Sequence, residues 1–125
     1  MYASTISQVS SEDESFSILT RCMCHNIFVS ASLPSKGVFF LHCKQTALPV
    51  EEITKALVKK GYDVMTSGDA GRFVCNYVYY HSLWFAEQNG IKSLFVHVPL
   101  FLAINEDTQM QFAASLLEVL CSLYL

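Results

Sequence analysis

The sequence has few charged residues. Lys, Arg, Asp and Glu make up 15% of its 125 residues, and only eight of them are Lys or Arg. No run of basic residues is longer than two, and the formal net charge is −3. A nucleic-acid-binding surface needs clustered Lys and Arg to contact phosphates, so we predict no nucleic-acid partner.

Long apolar segments are also missing. No stretch approaches the ~20 apolar residues of a membrane-spanning helix, and the polar, acidic N-terminal region lacks the basic and apolar parts of a secretory signal. Five cysteines are an odd number, and their spacing is not that of a disulfide framework. We therefore predict no membrane partner and a cytoplasmic protein with reduced thiols.

Hydrophobic residues account for 52% of the chain, which is ample for the packed core of a single domain. Residues 1–20 are rich in Ser, Thr and acidic residues, and they show no sustained helical or strand period, so we predict that they are mobile. Short apolar runs at 27–29 and 38–41 predict at most two strands or a hairpin. The predicted division is a poorly determined, partly disordered segment at 1–40 and the C-terminal portion of a domain at 41–125.

Stronger periodic signals begin at Pro49. A helix over 49–60 is predicted with acidic residues at its start, lysines at its end and Gly61 as its stop. Val50, Ile53 and Leu57 form its apolar stripe.

Further along the chain, the pattern predicts a strand at 62–66, a tight turn at 67–71, a helix from 73 to about 87 and a central strand at 94–98. A last helix opens near residue 105, and its predicted buried stripe is Ala113, Leu116, Leu117 and Leu120. This alternation predicts an α/β fold, the second half of a βαβ-type layered domain with a partial doubly wound sheet and flanking helices.

Two residues suggest chemistry. Cys75 follows the predicted turn, so it lies in the first turn of a helix, where unpaired N–H groups and the helix dipole stabilise a thiolate. His97 interrupts the apolar strand, and a Cys with a His is the minimum pair for a thiol nucleophile and its base. The alternatives are a small buried Cys and a His hydrogen-bonded within its strand.

Residues 67–80, with Cys75-Asn76 at their centre, and residues 93–99, with Phe95-Val96-His97-Val98-Pro99, resemble the pyroglutamyl peptidase I family. These are cysteine peptidases that remove an N-terminal pyroglutamate from peptides. The similarity extends over about residues 41–120 and is nearest to vertebrate members.

The resemblance implies the C-terminal portion of a pyroglutamyl peptidase-like fold, N-terminally truncated or alternative. It implies that Cys75 is the nucleophile, that His97 is its partner, and that no cofactor takes part. Phe73 and Val74, just before the nucleophile, are the predicted walls of a small substrate pocket. The implied partner is a peptide with an N-terminal pyroglutamate, and the oligomeric state stays open.

The sequence departs from the family in two places. Family members carry a catalytic Glu in an early segment and a Gly-Phe-Gly-Pro-Phe loop near the N-terminus, and neither pattern occurs here. Two alternatives to the peptidase therefore stay open. One is a catalytically inactive paralogue or isoform that acts as a partner-dependent remnant, and the other is a cysteine hydrolase of another amide or ester.

Two other groups of residues favour structural interpretations. A zinc site would draw on Cys22, Cys24, His25, His42 and Cys43, but one residue between the paired cysteines is fewer than structural zinc sites use, so we predict no metal. An aromatic group on the second predicted helix is expected to pack in the core rather than to stack on bases. Its members are Tyr77, Tyr79, Tyr80 and Trp84.

Overall fold

The computed structural model describes residues 2–8, 15–23, 43–71 and 74–124. The strands predicted at 27–29 and 38–41 lie outside these residues. The elements in chain order are β1 (Tyr2–Gln8), β2 (Phe16–Leu19), β3 (Arg21–Met23), β4 (Cys43–Gln45), α1 (Val50–Lys59), β5 (Val64–Ser67), α2 (Val74–Asn89), β6 (Lys92–Val98) and α3 (Glu106–Tyr124). No helix in this part of the chain is long and apolar enough to cross a membrane.

Four strands form the main sheet in the order β1, β6, β2, β5. β1 runs parallel to β6 and β2 runs parallel to β5, whereas β2 and β6 are antiparallel. β3 and β4 form a separate two-stranded antiparallel sheet. β5 and β6 therefore run in opposite directions with β2 between them, so the sheet is mixed and not the parallel sheet that a βαβ unit implies. Hydrophobic periodicity reports strands without their direction, which is why the sequence pattern did not reveal this arrangement.

Helices cover both faces of this sheet, which confirms the predicted α/β class. On one face, α1 and α3 pack against side chains such as Ile18, Leu94 and Val96. On the other face, α2 packs against Leu19 and Phe95. Successive side chains of a strand point to opposite faces, so β6 contributes to both cores.

α1 forms where the sequence predicts it. Val50, Ile53 and Leu57 are buried, as the apolar stripe requires. Gly61 has φ of +97°, a left-handed conformation that glycine adopts without a Cβ penalty, and it ends the helix. Local sequence signals were sufficient to predict α1, because the apolar stripe, the terminal charges and the glycine stop all indicate the same helix.

α3 begins after Asn105, whose side-chain Oδ1 accepts a hydrogen bond from the Thr108 backbone N–H at 2.9 Å. The predicted stripe is partly wrong: Leu116 and Leu120 are buried, Ala113 is half-buried, and Leu117 is 58% exposed. The remaining buried positions of this helix are Gln109, Phe112 and Val119. The helix turns a slightly different face to α1 and the sheet, because tertiary packing fixes its rotation.

Part of the N-terminal region joins the main sheet. β1 and β2 lie within residues 1–20, where the sequence pattern predicts no strand. Phe16 is buried, and its ring stacks on that of Phe112 with centroids 3.7 Å apart. β2 has four residues, which is too short to show a period. Its partners also lie far along the chain: Phe16 pairs with Val64, and Ile18 with Val96. The division at residue 40 stays a prediction.

The Phe16 contact gives a test of this strand. We expect Phe16→Ala to lower the free energy of unfolding by about 3–5 kcal/mol, because it removes a fully buried ring from the core. Urea denaturation of the whole chain measures the change. The control is Phe101→Ala at a position that is 51% exposed, where we expect a loss of about 0.5 kcal/mol or less. Equal losses in the two variants would show that β2 is not part of the core.

Candidate active site

Cys75 lies in the first turn of α2, as its second residue. Its side chain is half-buried and packs against a cluster that includes Ala70, Tyr79 and Phe95. Tyr79 is one helical turn further along, so Cys75 shares the sheet-facing side of α2 with it. The helix therefore presents the thiol toward the sheet at its N-terminal end.

Three contacts fix how α2 lies on β2 and β6. The Tyr79 hydroxyl donates to the Leu19 backbone carbonyl oxygen at 2.9 Å, in a buried bond between α2 and β2. The hydroxyls of Ser82 and Ser93 are hydrogen-bonded, and the rings of Tyr79 and Phe95 lie 5.4 Å apart. Moving toward the start of α2 thus corresponds to moving toward the end of β6. Cys75 lies one helical turn before Tyr79, so it is on the side of α2 that faces the end of β6 where His97 lies.

His97 lies near the carboxyl end of β6, two residues after Phe95 and on the same face of the sheet. The two rings make an edge contact with centroids 5.2 Å apart. In the sheet register, His97 pairs with Ser7 of β1 and Ser17 of β2. Its Nδ1 atom is buried and has no hydrogen-bond partner among the described residues. The structure therefore places Cys75 against the buried cluster that includes Phe95, and His97 against the Phe95 ring, without a hydrogen bond from the thiol to Nδ1.

Burial sets the protonation of His97. Desolvation lowers its pKa below the ordinary value of 6.5, and the negative charge of Asp69 acts in the opposite direction. The imidazole is therefore neutral near pH 7. A neutral imidazole is able to accept a proton, which is the property that a base beside a thiol needs.

The turn before α2 is held in place by its own hydrogen bonds. The Gly71 N–H donates to Asp69 Oδ1 at 2.8 Å, and the Asp69 N–H donates to Ser67 Oγ at 3.2 Å. Gly71 has φ of +79°, which favours glycine at this position. Asp69 therefore has a structural role in an Asx-type turn, in addition to the electrostatic effect on His97.

Residues 20 and 21 anchor the same turn to the sheet. The Thr20 N–H donates to the Ser67 carbonyl at 2.8 Å, and Arg21 Nε donates to the Gly68 carbonyl at 3.2 Å. A Cβ at Gly68 would lie 3.1 Å from Arg21 Nε, which is a tight contact. The N-terminal region thus helps to place the residues that precede Cys75.

The other predicted site residues are less defined. Val74, the first residue of α2, is 72% exposed beside Cys75, and Phe73 lies outside the described residues. Their assignment as pocket walls stays a prediction. Within the described ranges no group of three or more His, Cys, Asp or Glu is arranged to hold a metal ion. Of the residues weighed for zinc, Cys22 and Cys43 lie on the paired strands β3 and β4, whereas Cys24, His25 and His42 lie outside the described residues.

The aromatic residues of α2 divide into two groups. Tyr79 is fully buried and Tyr80 packs against the core, so the core interpretation is confirmed for them. Tyr77 and Trp84 are about half exposed, at 53% and 48%, so that interpretation is wrong for these two. α2 is apolar on most of its circumference, so the periodicity of its sequence does not separate buried aromatic residues from exposed ones.

Sequence reasoning missed the action of Asp69 on His97. Nothing in the sequence relates Asp69 to a residue 28 positions later. The signal that was available is its place in the turn immediately before the nucleophile. In the folded chain the negative charge of Asp69 acts to raise the pKa of His97, against the larger effect of burial.

The lowered pKa of His97 predicts a pH-dependent stability. The unfolded chain binds the proton of this residue at a higher pH than the folded protein, so its contribution is fully present above about pH 6.5 and is lost as the pH falls from there through the lower pKa of the folded protein. We expect the free energy of unfolding to fall less between pH 7 and pH 5 in His97→Gln than in the wild type.

Urea denaturation at the two pH values measures this difference. His81→Gln, at an exposed position of α2, controls for the loss of a histidine as such. Identical slopes of stability against pH in the wild type and in His97→Gln would contradict the assignment.

Comparison with known proteins bears on the family. Residues 40–117, more than half of the chain, match the family model for pyroglutamyl peptidase. The pyrrolidone-carboxylate peptidase of Vibrio campbellii is 38% identical over 55 residues, which cover 44% of this chain and 26% of that protein. The pyrrolidone-carboxylate peptidase of Thermococcus litoralis is 43% identical over 54 residues, which cover 42% of this chain and 24% of that protein. The match therefore spans about a quarter of the length of these curated relatives.

Solved structures share the fold. A mutant pyrrolidone carboxyl peptidase from Pyrococcus furiosus has a TM-score of 0.71 at 19% identity, and the match covers 99% of this chain and 70% of that one. The pyrrolidone carboxyl peptidase from Thermococcus litoralis has a TM-score of 0.69 at 19% identity, with 94% and 63% covered. The similarity of fold thus includes β1 and β2, which precede the residues that match the family model. A particular closeness to vertebrate members stays a prediction, but the family match and the shared fold establish that this chain belongs to the pyroglutamyl peptidase family.

Proposed function

We propose that this protein is a cysteine-type omega-peptidase that removes N-terminal pyroglutamate from peptides. The observation that carries the proposal is that Cys75 and His97 lie on the same side of the sheet and both contact the cluster that includes Phe95, in a chain of this family. The thiol lies at the start of a helix, where a negative charge is favoured. The imidazole is neutral and half-buried, so it is suited to receive the thiol proton.

The reaction would proceed in two steps. The Cys75 sulfur attacks the pyroglutamyl carbonyl carbon while its proton passes to His97, and the carbon–nitrogen bond breaks as His97 delivers that proton to the leaving amine. Water then attacks the resulting thioester with His97 as base, and pyroglutamate leaves as the thiol is restored. These two reaction steps need no metal or cofactor. It requires the thiol and the imidazole to approach within hydrogen-bonding distance when the substrate is bound.

The substrate contacts belong to the same proposal. Val74 exposes most of its side chain next to Cys75, so it is placed to contact a small ring at the scissile bond. Phe73 would form the second wall of this pocket. The leaving group would be the rest of a peptide chain. A cytoplasmic location fits a thiol nucleophile, because it has to stay reduced to act.

Turnover of a pyroglutamyl aminomethylcoumarin reporter tests the activity. We expect the wild-type chain to release the fluorophore and Cys75→Ser to lose about 1000-fold or more in kcat, since the serine hydroxyl is a much weaker nucleophile in this setting. Cys121→Ser, which changes an exposed free thiol on α3, is the matched control and should keep wild-type activity. Equal rates for the wild type and Cys75→Ser would refute the proposal.

Alkylation separates the peptidase from an inactive paralogue. At pH 6, we expect limiting iodoacetamide to label Cys75 faster than Cys121, although Cys75 is half-buried and Cys121 is exposed. Mass spectrometry of the two peptides at several reaction times gives the rates. A Cys75 that reacts no faster than Cys121 would favour the non-catalytic alternative.

A further inference from the structure

A cavity lies at the end of α2 that is remote from Cys75. Its volume is about 370 Å³. Three parts of the fold line it, with Lys44 from β4, Leu83, Ala86 and Glu87 from α2, and Ile91 and Ser93 from the start of β6 and the residue before it. Glu87 and Cys75 are about 18 Å apart along the axis of α2. The cavity is therefore separate from the candidate active site.

Much of the cavity wall is apolar. Leu83 and Ala86 are buried, and Ile91 is half-buried. Ser93 is 1% exposed, and its hydroxyl is already hydrogen-bonded to that of Ser82. A ligand on this wall would therefore contact apolar surface without leaving a buried hydroxyl unpaired.

Two opposite charges lie beside this apolar wall. Lys44 Nζ is 2.6 Å from Glu87 Oε2, and the same ammonium lies 5.7 Å from the centre of the Tyr80 ring. The hydrogen bond and the charge of Lys44 lower the pKa of Glu87 from its ordinary value of 4.5, so both groups are charged at pH 7. The side chains of Lys44 and Glu87 are 20% and 65% exposed, so both are accessible to a small molecule.

The ion pair selects the charge of a ligand. A purely anionic ligand is attracted by Lys44 and repelled by Glu87, and a purely cationic ligand meets the reverse. A zwitterion aligns its own dipole against the pair, with its carboxylate beside Lys44 and its ammonium beside Glu87. The last turn of α2 contains no basic residue, and the negative end of the helix dipole favours a cation there.

We propose that this cavity binds a free α-amino acid with an apolar side chain. Lys44 would hold the carboxylate, Glu87 would hold the ammonium, and the side chain would lie against Leu83, Ala86 and Ile91. The volume falls within the range of about 300–1,000 Å³ that is typical of small-molecule sites. This binding does not depend on the peptidase function proposed above, and it is measurable without turnover.

L-Leucine is the probe, and three compounds separate its parts. 4-Methylpentanoate lacks the ammonium, 3-methylbutylamine lacks the carboxylate, and glycine lacks the apolar side chain. Saturation-transfer NMR titrations of the whole chain give the dissociation constants. We expect leucine to bind about threefold to fivefold more tightly than either singly charged compound, and about tenfold more tightly than glycine.

Substitutions test whether the binding occurs in this cavity. We expect Lys44→Gln and Glu87→Gln each to weaken leucine binding about threefold to fivefold. The matched control is Lys60→Gln, which breaks the ion pair of Lys60 with Glu118 on α3 and should leave leucine binding unchanged. Ala47→Phe, at an exposed residue that lines the cavity, should fill the space and abolish binding. Circular dichroism checks that each variant folds.

Glu87→Gln also has an effect that a merely structural ion pair would not produce. It removes the carboxylate that repels an anion, so it should bind 4-methylpentanoate more tightly than the wild type does. Leucine that binds no more tightly than 4-methylpentanoate, or that does not bind at all, would overturn the proposal. Leucine binding that survives Ala47→Phe, or that falls equally in Lys60→Gln, would overturn it as well. None of these results depends on hydrolysis of the reporter, so failure of this inference is distinct from failure of the peptidase assignment.

Discussion

The burial of β6 on both of its faces is the constraint on which the rest of the structure depends. Leu94 and Val96 fill the core beneath α1 and α3, while Phe95 fills the core beneath α2. A shift of one residue in register would exchange these two sets, so the packing fixes the register firmly. The orientation of His97 follows, because it has the same parity as Phe95. The position of α2 follows as well, because Tyr79 packs on the ring of Phe95.

Apolar packing rather than charge holds this arrangement together. Two ion pairs occur among the described residues, Lys44 with Glu87 at 2.6 Å and Lys60 with Glu118 at 3.0 Å, and all four side chains keep some contact with solvent. Such pairs contribute little to stability. The low charge content of the chain agrees with a core built on aromatic contacts, in which buried Phe16 and Phe112 pack with half-buried Tyr62.

The N-terminal strands have a double role in this molecule. β2 completes the core through Phe16 and Ile18, and the residues after it anchor the turn that leads to Cys75. Residues upstream of the family match therefore position residues within it.

Local signals in the sequence determined several elements directly. α1 was predicted because its apolar stripe, terminal charges and Gly61 agree within a dozen residues. Cys75 and His97 were found because their motifs are short and contiguous, and α2 and β6 were predicted around them. Their roles in catalysis stay a proposal. The sequence by itself thus determined the candidate residues and the elements that carry them.

Tertiary structure decided the features that depend on distant pairing. The inclusion of β2, the antiparallel direction of β6 relative to β2 and the rotation of α3 all result from contacts between residues far apart in the chain. The action of Asp69 on His97 belongs to the same class. No local pattern encodes these features, because short strands lack a period. The effect of a charge on another group depends on the distance between them, and only the folded chain fixes that distance.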